Sequence, residues 1–317
     1  MTNIILSGSN NVAMPTVSET TAVSNANFLD WEKDKTQALT LDMLARTHRE
    51  NDVYGNPLRG IYHFQLIETV LDMAKEIGYD VEVYDLFAAQ NRDKTMPGVV
   101  KLPQVEAQYG KNAVEAHILR RVYANVRIKD FDDAETTTNL AIAFHQKGIQ
   151  VGFGPNVKIC HNQCMLSAQR YIASYGDKGT GRGGGADIET ILRTVREWLE
   201  NAKTFIDADR EKIARMKATE VSADQMLMII GTLTAMRVKA DTSRKSIREC
   251  ITYPLNQAQI TTFTEDMLEA YTRGGKVTAW DIYDSATNLY KANRMDIPQL
   301  LPQNRAMVGF LDNWFQF

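Results

Sequence analysis

The stretch AVEAHILRRVYANVRIKD, residues 113–130, decides the fold. Val114, Ala116, Ile118, Val122, Ala124, Val126 and Ile128 all fall at even positions, and only Arg120 breaks the row. The odd positions carry Glu115, His117, Leu119, Arg121, Tyr123, Asn125, Arg127 and Lys129. Successive side chains of a strand point to opposite faces, so a period of two held this long predicts a half-buried strand with a polar, mostly basic outer face. Phe131, Asp132 and Asp133 then supply a turn, where Asp is expected for backbone reasons. Leu140, Ile142 and Phe144 alternate in a second strand that ends at Lys147-Gly148. Ile149, Val151 and Phe153 begin a third, and 157–160 continue the sheet beyond Gly154-Pro155. Short turns between alternating strands imply antiparallel pairing, an α+β signature rather than βαβ.

Working outward, residues 39–50 form a short helix and NDVYGNP a turn. From Tyr62, the apolar residues Phe64, Ile67, Val70, Leu71 and Ala74 recur at helical spacing until Gly78, and 81–89 switches to strand-forming residues. Past Cys164 the chain turns helical. One stripe from Ile188 to Ile206 predicts a helix running to Lys217, Ser222 caps a helix over 223–238, and further helices fit 263–272, 278–292 and 304–315. The expected organisation is an extended polar arm (1–35), a helix-plus-antiparallel-sheet core (36–175), a Gly-rich linker (176–186) and a helical region (187–317).

The chain has 317 residues, with 36 Lys+Arg against 39 Asp+Glu and 44% hydrophobic residues. That composition supports a sizeable core and excludes a wholly disordered chain, a collagen and a uniformly basic coat protein. Three cysteines imply a reducing, cytoplasmic setting without a disulfide framework. No apolar run approaches a membrane span and the opening residues lack signal-peptide character, so no membrane is expected.

The run GTGRGGG at 179–185 formally contains G-x-G-x-x-G, but no strand precedes it and Asp187 opposes an anion there, so it reads as a linker. Cys160, His161 and Cys164 are the one compact set of zinc-type ligands, with His117 or His145 as a fourth. The spacing is loose and Cys160 falls in an alternating strand, where a buried thiol is ordinary, so no metal or other cofactor is assigned. His48 and His63 have no partner legible in sequence. No acid/base dyad or nucleophile set stands out, so the chain reads as a binding protein before an enzyme, with a zinc-dependent enzyme using Cys160, His161 and Cys164 as the third reading.

The basic surfaces lead further. Arg121, Tyr123, Arg127 and Lys129 share one strand face beside Arg120, and this mixture of cations with a ring suits single-strand binding: charges for phosphates, a ring for a base. A second cluster surrounds Arg244 and Lys245. The plain alternative is a solvated sheet face, or one covered by the C-terminal helices.

Residues 59–89, the strands of 117–164 and WDIYDSAT at 280–287 together resemble the phage/plasmid-like uncharacterised families of tailed phages, plasmids and Bacteroidetes genomes. Their Cys-x-Asn-like element matches Cys160-His161-Asn162 here, and Asp284-Ser285 stands where the late element usually reads Asn-Ala. The resemblance covers residues 55–295 and implies a mobile-element origin without naming a mechanism. At the level of fold, VYANVRIKD at 122–130 is also similar to the central strand of single-strand annealing proteins, which form rings or filaments on DNA. That likeness implies a homo-oligomer that anneals without a metal. The sequence thus leads to a single-stranded nucleic-acid-binding protein in which Arg120, Arg121, Arg127, Lys129 and Lys158 hold phosphates, Tyr123 stacks on a base, and Arg244 and Lys245 add charge. The alternative is a phage structural or protein-interaction component that assembles through the arm.

Overall fold

In a computed structural model of the chain, the described residues are 36–46, 61–89, 121–145, 148–157, 162–163, 166–167, 169–175, 187–242, 253–273, 275–291 and 297–317. The arm (1–35), the Gly-rich linker (176–186) and residues 113–120 lie outside them. The fold is α+β.

Strands β1 (Thr36–Ala38), β2 (Val81–Ala89), β3 (Val122–Ile128), β4 (Thr136–His145) and β5 (Gly148–Val157) lie side by side in that order, and β6 (Asn162–Gln163) and β7 (Tyr171–Tyr175) both pair with β5. Every pairing among them is antiparallel. β5 runs unbroken through Gly154-Pro155, with Pro155 opposite Thr138. Between β2 and β3 the register shifts at Val83/Asp85, which leaves Tyr84 as an extra, bulged residue.

The first sheet face is covered by α1 (Leu41–Arg46), α2 (His63–Ile77) and α3 (Ile188–Glu200). The even row of β3 (Val122, Ala124, Val126, Ile128) meets Leu140, Ile142 and Phe144 of β4 and Leu66, Ile67 and Val70 of α2 in one core. Helix α2 ends as its sequence demands. Gly78 adopts φ 106°, a left-handed conformation that costs glycine nothing. Its N–H donates to Lys75 O, and the Tyr79 N–H donates to Ala74 O. His63 is buried against the Phe144 ring, 4.5 Å between centroids.

The single helix expected over 188–217 is two. Asn201, at φ −105° and ψ 12°, separates α3 from α4 (Ala202–Ala218), and its side-chain Nδ2 donates to Glu197 O at 2.8 Å. A short amide that bonds its own backbone competes with the helix ladder at that point. The apolar stripe nonetheless continues through Ile206 into the first core.

A second core joins the later part of α4 to α5 (Ala223–Thr242), α6 (Gln257–Thr272), α7 (Ala279–Lys291) and α8 (Ile297–Phe315). Ser222 caps α5 as expected: its Oγ accepts from Gln225 N, and Gln225 Oε1 accepts from Ser222 N. Among the described residues, no helix is long and apolar enough to cross a membrane.

Candidate nucleic-acid interface

The odd row of β3 faces away from the first core, and its surroundings differ from those the alternation suggests. Strand β3 is buried on both sides. Tyr123 is 5% exposed, packed with Phe87, Ala141 and Ala143 under Leu301 of α8, and its hydroxyl donates to Asn125 Oδ1 at 3.2 Å. Residues nearly 180 positions downstream thus roof this part of the sheet, the arrangement in which C-terminal helices cover the face. With the chain in this conformation, no base reaches the Tyr123 ring.

At the margin, the cations are engaged by carboxylates. Arg127 Nε donates to Asp132 Oδ2 at 2.8 Å and Nη1 to Glu82 Oε1 at 3.2 Å, while Nη2 also meets Asp132. Lys129 Nζ lies 3.2 Å from Glu82 and 3.4 Å from Asp80. These pairs hold both cations above their ordinary pKa, chiefly through the hydrogen bonds to Asp132 and to Glu82 respectively. Asp130 accepts from Asp80 N, and Arg210 reaches across from α4 to Asp133 at 3.2 Å. The carboxylates around Arg127, Lys129 and Arg210 therefore balance or outnumber the cations. Tyr84, on the bulge, is 38% exposed with the Arg127 guanidinium 5.4 Å from its centroid.

The other expected residues divide as follows. Arg121 immediately precedes β3, half-buried and engaged by a neighbour. Arg120, Lys158, Arg244 and Lys245 lie outside the described residues, as do Cys160, His161, Cys164 and His117. His145 ends β4. The turn carboxylates do the backbone work expected of them: Asp133 Oδ1 accepts from Glu135 N and Thr136 N. Burial pushes the Asp133 carboxyl up, but these amides, the Thr136 hydroxyl and Arg210 together bring it below the ordinary value. Asp187 caps α3 by accepting from Thr190 N and Oγ1, which lowers its pKa.

The unexpected part of this face is polar and interior. Asn125, Thr137, Asn139, Gln150 and Asn156 are all buried. The clue in the sequence is that Thr137 and Asn139 share an alternating row of β4 with only the small Ala141 and Ala143; such a row reads as solvated until a distant helix is known to lie over it.

Comparison of the chain with protein-family models, curated proteins and solved structures finds no match.

Proposed function

We propose that the chain binds single-stranded nucleic acid along the second face and margin of its sheet, and brings strands together for annealing as an oligomer. The observation that carries this reading is a sheet whose second face holds neutral amides and hydroxyls where a packing surface would be apolar. Amides suit base edges, and the partly exposed Tyr84 ring, over which Arg127 lies, carries an aromatic surface at the margin. Arg120, Arg121, Lys158, Arg244 and Lys245 are the proposed phosphate contacts. Arg127 and Lys129 contribute less, because a phosphate must displace Glu82, Asp80 or Asp132 to reach them. Stacking on Tyr123 requires α8 to move aside, and the buried amides of the face meet a base only once they too are uncovered. The test combines Arg120→Gln, Arg121→Gln, Lys158→Gln and Lys245→Gln. Each lost contact lowers the slope of log affinity against log salt by roughly 0.7 for a single strand. A folded quadruple variant that binds as tightly as the parent, with an unchanged salt slope, sinks the reading.

A second reading, a protein-interaction or structural component, has its own observation. Leu227, Met228 and Val238 on α5 are 58%, 53% and 52% exposed. Helix α5 is therefore apolar toward solvent as well as toward the core, a pattern typical of association surfaces. Light scattering of Leu227→Lys/Met228→Lys against the parent decides: loss of an assembly favours this reading, and an unchanged mass counts against it.

A further inference from the structure

Helix α8 changes partners at Pro302. Before it, Leu301 is 1% exposed in the cluster of Phe87, Tyr123, Ala141 and Ala143, and Leu300 packs against that cluster as well as the second core. After it, the fastenings are to the other helices. Gln303 Nε2 donates to Gln259 Oε1 of α6 at 3.3 Å, and the Gln303 carbonyl accepts from the Tyr290 hydroxyl of α7 at 3.3 Å. Asn304 Oδ1 accepts from the Tyr283 hydroxyl at 2.7 Å, and Asp312 meets Lys212 of α4. Met307, Val308, Phe310 and Leu311 belong to the second core. Arg305, exposed, adds a contact back to the sheet, its guanidinium 5.3 Å from the Tyr171 ring centroid.

Pro302 stands inside the helix. It has no N–H, so the ladder bond that residue 302 would donate to the carbonyl of Pro298 is missing, and its ring crowds that carbonyl. Sharp bends in helices concentrate at proline for these reasons. The weakest point of α8 therefore falls at the boundary between the part that lies on the sheet and the part fastened to the helical core.

The sheet face there does not resist water as an apolar face would. Asn139 lies on the same row of β4 as Ala141 and Ala143, two residues from the first of them. It is 0% exposed, and neither Oδ1 nor Nδ2 has a hydrogen-bond partner. Water admitted to this row returns hydrogen bonds that the closed face leaves unmade. We propose that residues 297–301 are a flap that swings about Pro302 to uncover Tyr123, Ala141 and Ala143, while the rest of α8 stays in the second core. Its role, though not its motion, rests on the single-strand reading above. There the flap is an autoinhibitory gate, and the affinity of this face for a strand is its intrinsic affinity scaled by the open fraction.

The test reads the motion in the full chain without a ligand. Ala143→Cys puts a thiol in the cluster with Leu301, Ala141→Cys is a second reporter there, and Ala124→Cys puts one in the first core on the opposite face. Each is labelled with a thiol reagent, the parent supplying the background of its native cysteines, and circular dichroism checks the fold. The thiols at 141 and 143 should react about tenfold or more faster than that at 124, at rates nearly independent of urea below the unfolding transition. Pro302→Ala returns the missing donor and should slow labelling at 141 and 143 about tenfold or more relative to 124. Labelling of all three sites with one steep urea dependence, or rates at 141 and 143 that Pro302→Ala leaves unchanged, overturns the flap. Single-strand affinity of Pro302→Ala then separates the two readings. A loss of affinity by the factor seen in labelling supports flap and gate together. Slowed labelling with unchanged affinity keeps the flap and removes the gate. Strand binding by a chain that shows no local opening removes the flap and leaves the strand to the margin of the sheet.

Discussion

Arg170 and Asp209 are the most deeply placed opposite charges among the described ion pairs, with side chains 6% and 5% exposed. Arg170 precedes β7, its Nη1 donates to Asp209 Oδ2 of α4 at 2.6 Å, and Nη2 meets the second carboxylate oxygen. The guanidinium also lies 5.4 Å from the Phe205 ring centroid and 5.9 Å from that of Phe153. Burial pushes the Asp209 carboxyl up while Arg170 pulls it down. Removing one partner strands the other charge in the interior, so Asp209→Ala should cost about 3–5 kcal/mol in a urea-denaturation measurement. A loss below about 1 kcal/mol would mean that water reaches the guanidinium. Asp133 makes a second residue-level prediction. Its folded pKa lies below the ordinary 3.8, so its stabilisation is fully present above that value and is lost as pH falls through the folded pKa. Acid unfolding should therefore steepen below pH 3.8, and Asp133→Asn should flatten that part of the profile. At this scale the sequence was informative where chemistry is local: the turn role of Asp132 and Asp133 and the Ser222 cap follow from neighbours within a few residues. It was silent on the burial of Asn139, which is flanked by Arg127 of β3 and Gly154 of β5.

The elements follow their periodicities where one contact face dominates. The even row of β3 and the stripe of α2 each meet one core, and both were legible. Gly78 is the sharpest stop signal, and nothing lies within 4 Å of where a Cβ would stand. Gly78→Ala should therefore cost only the left-handed backbone penalty, about 1 kcal/mol, visible as a small drop in Tm; a drop several times larger would reveal a steric role. The α3/α4 break escaped detection because the apolar stripe passes through Asn201, whose own side chain diverts the backbone bonding. Helix α5 sits at the opposite extreme. Leu227 already faces water, so Leu227→Gln should change the unfolding free energy by no more than about 0.5 kcal/mol at protein concentrations where the chain is monomeric.

Across the whole molecule, the two cores are tied by groups far apart in sequence: Arg210 to Asp133, Lys217 to Glu135 at 2.5 Å, and the Arg170–Asp209 pair. Alternation assigned Tyr123, Arg127 and Lys129 to a surface row, but no local pattern says which surface a later helix will roof or which carboxylates a cation will meet. That is why the α+β architecture could be read in advance while the exposure of the candidate face could not. The roof also makes a prediction. Leu301 is buried over Tyr123 and Phe87, and Leu301→Ala should cost about 2–5 kcal/mol while making the Tyr123 side of the sheet more accessible to solvent, read as faster hydrogen exchange in β3. The central claim, that this polar face serves a single strand, is tested most directly by fluorescence anisotropy of a labelled mixed-sequence strand of about 40 nucleotides, titrated at low and at physiological salt beside a duplex of the same length. The account predicts binding that prefers the single strand and weakens as salt rises; no binding at low salt, or equal affinity for the duplex, would contradict it.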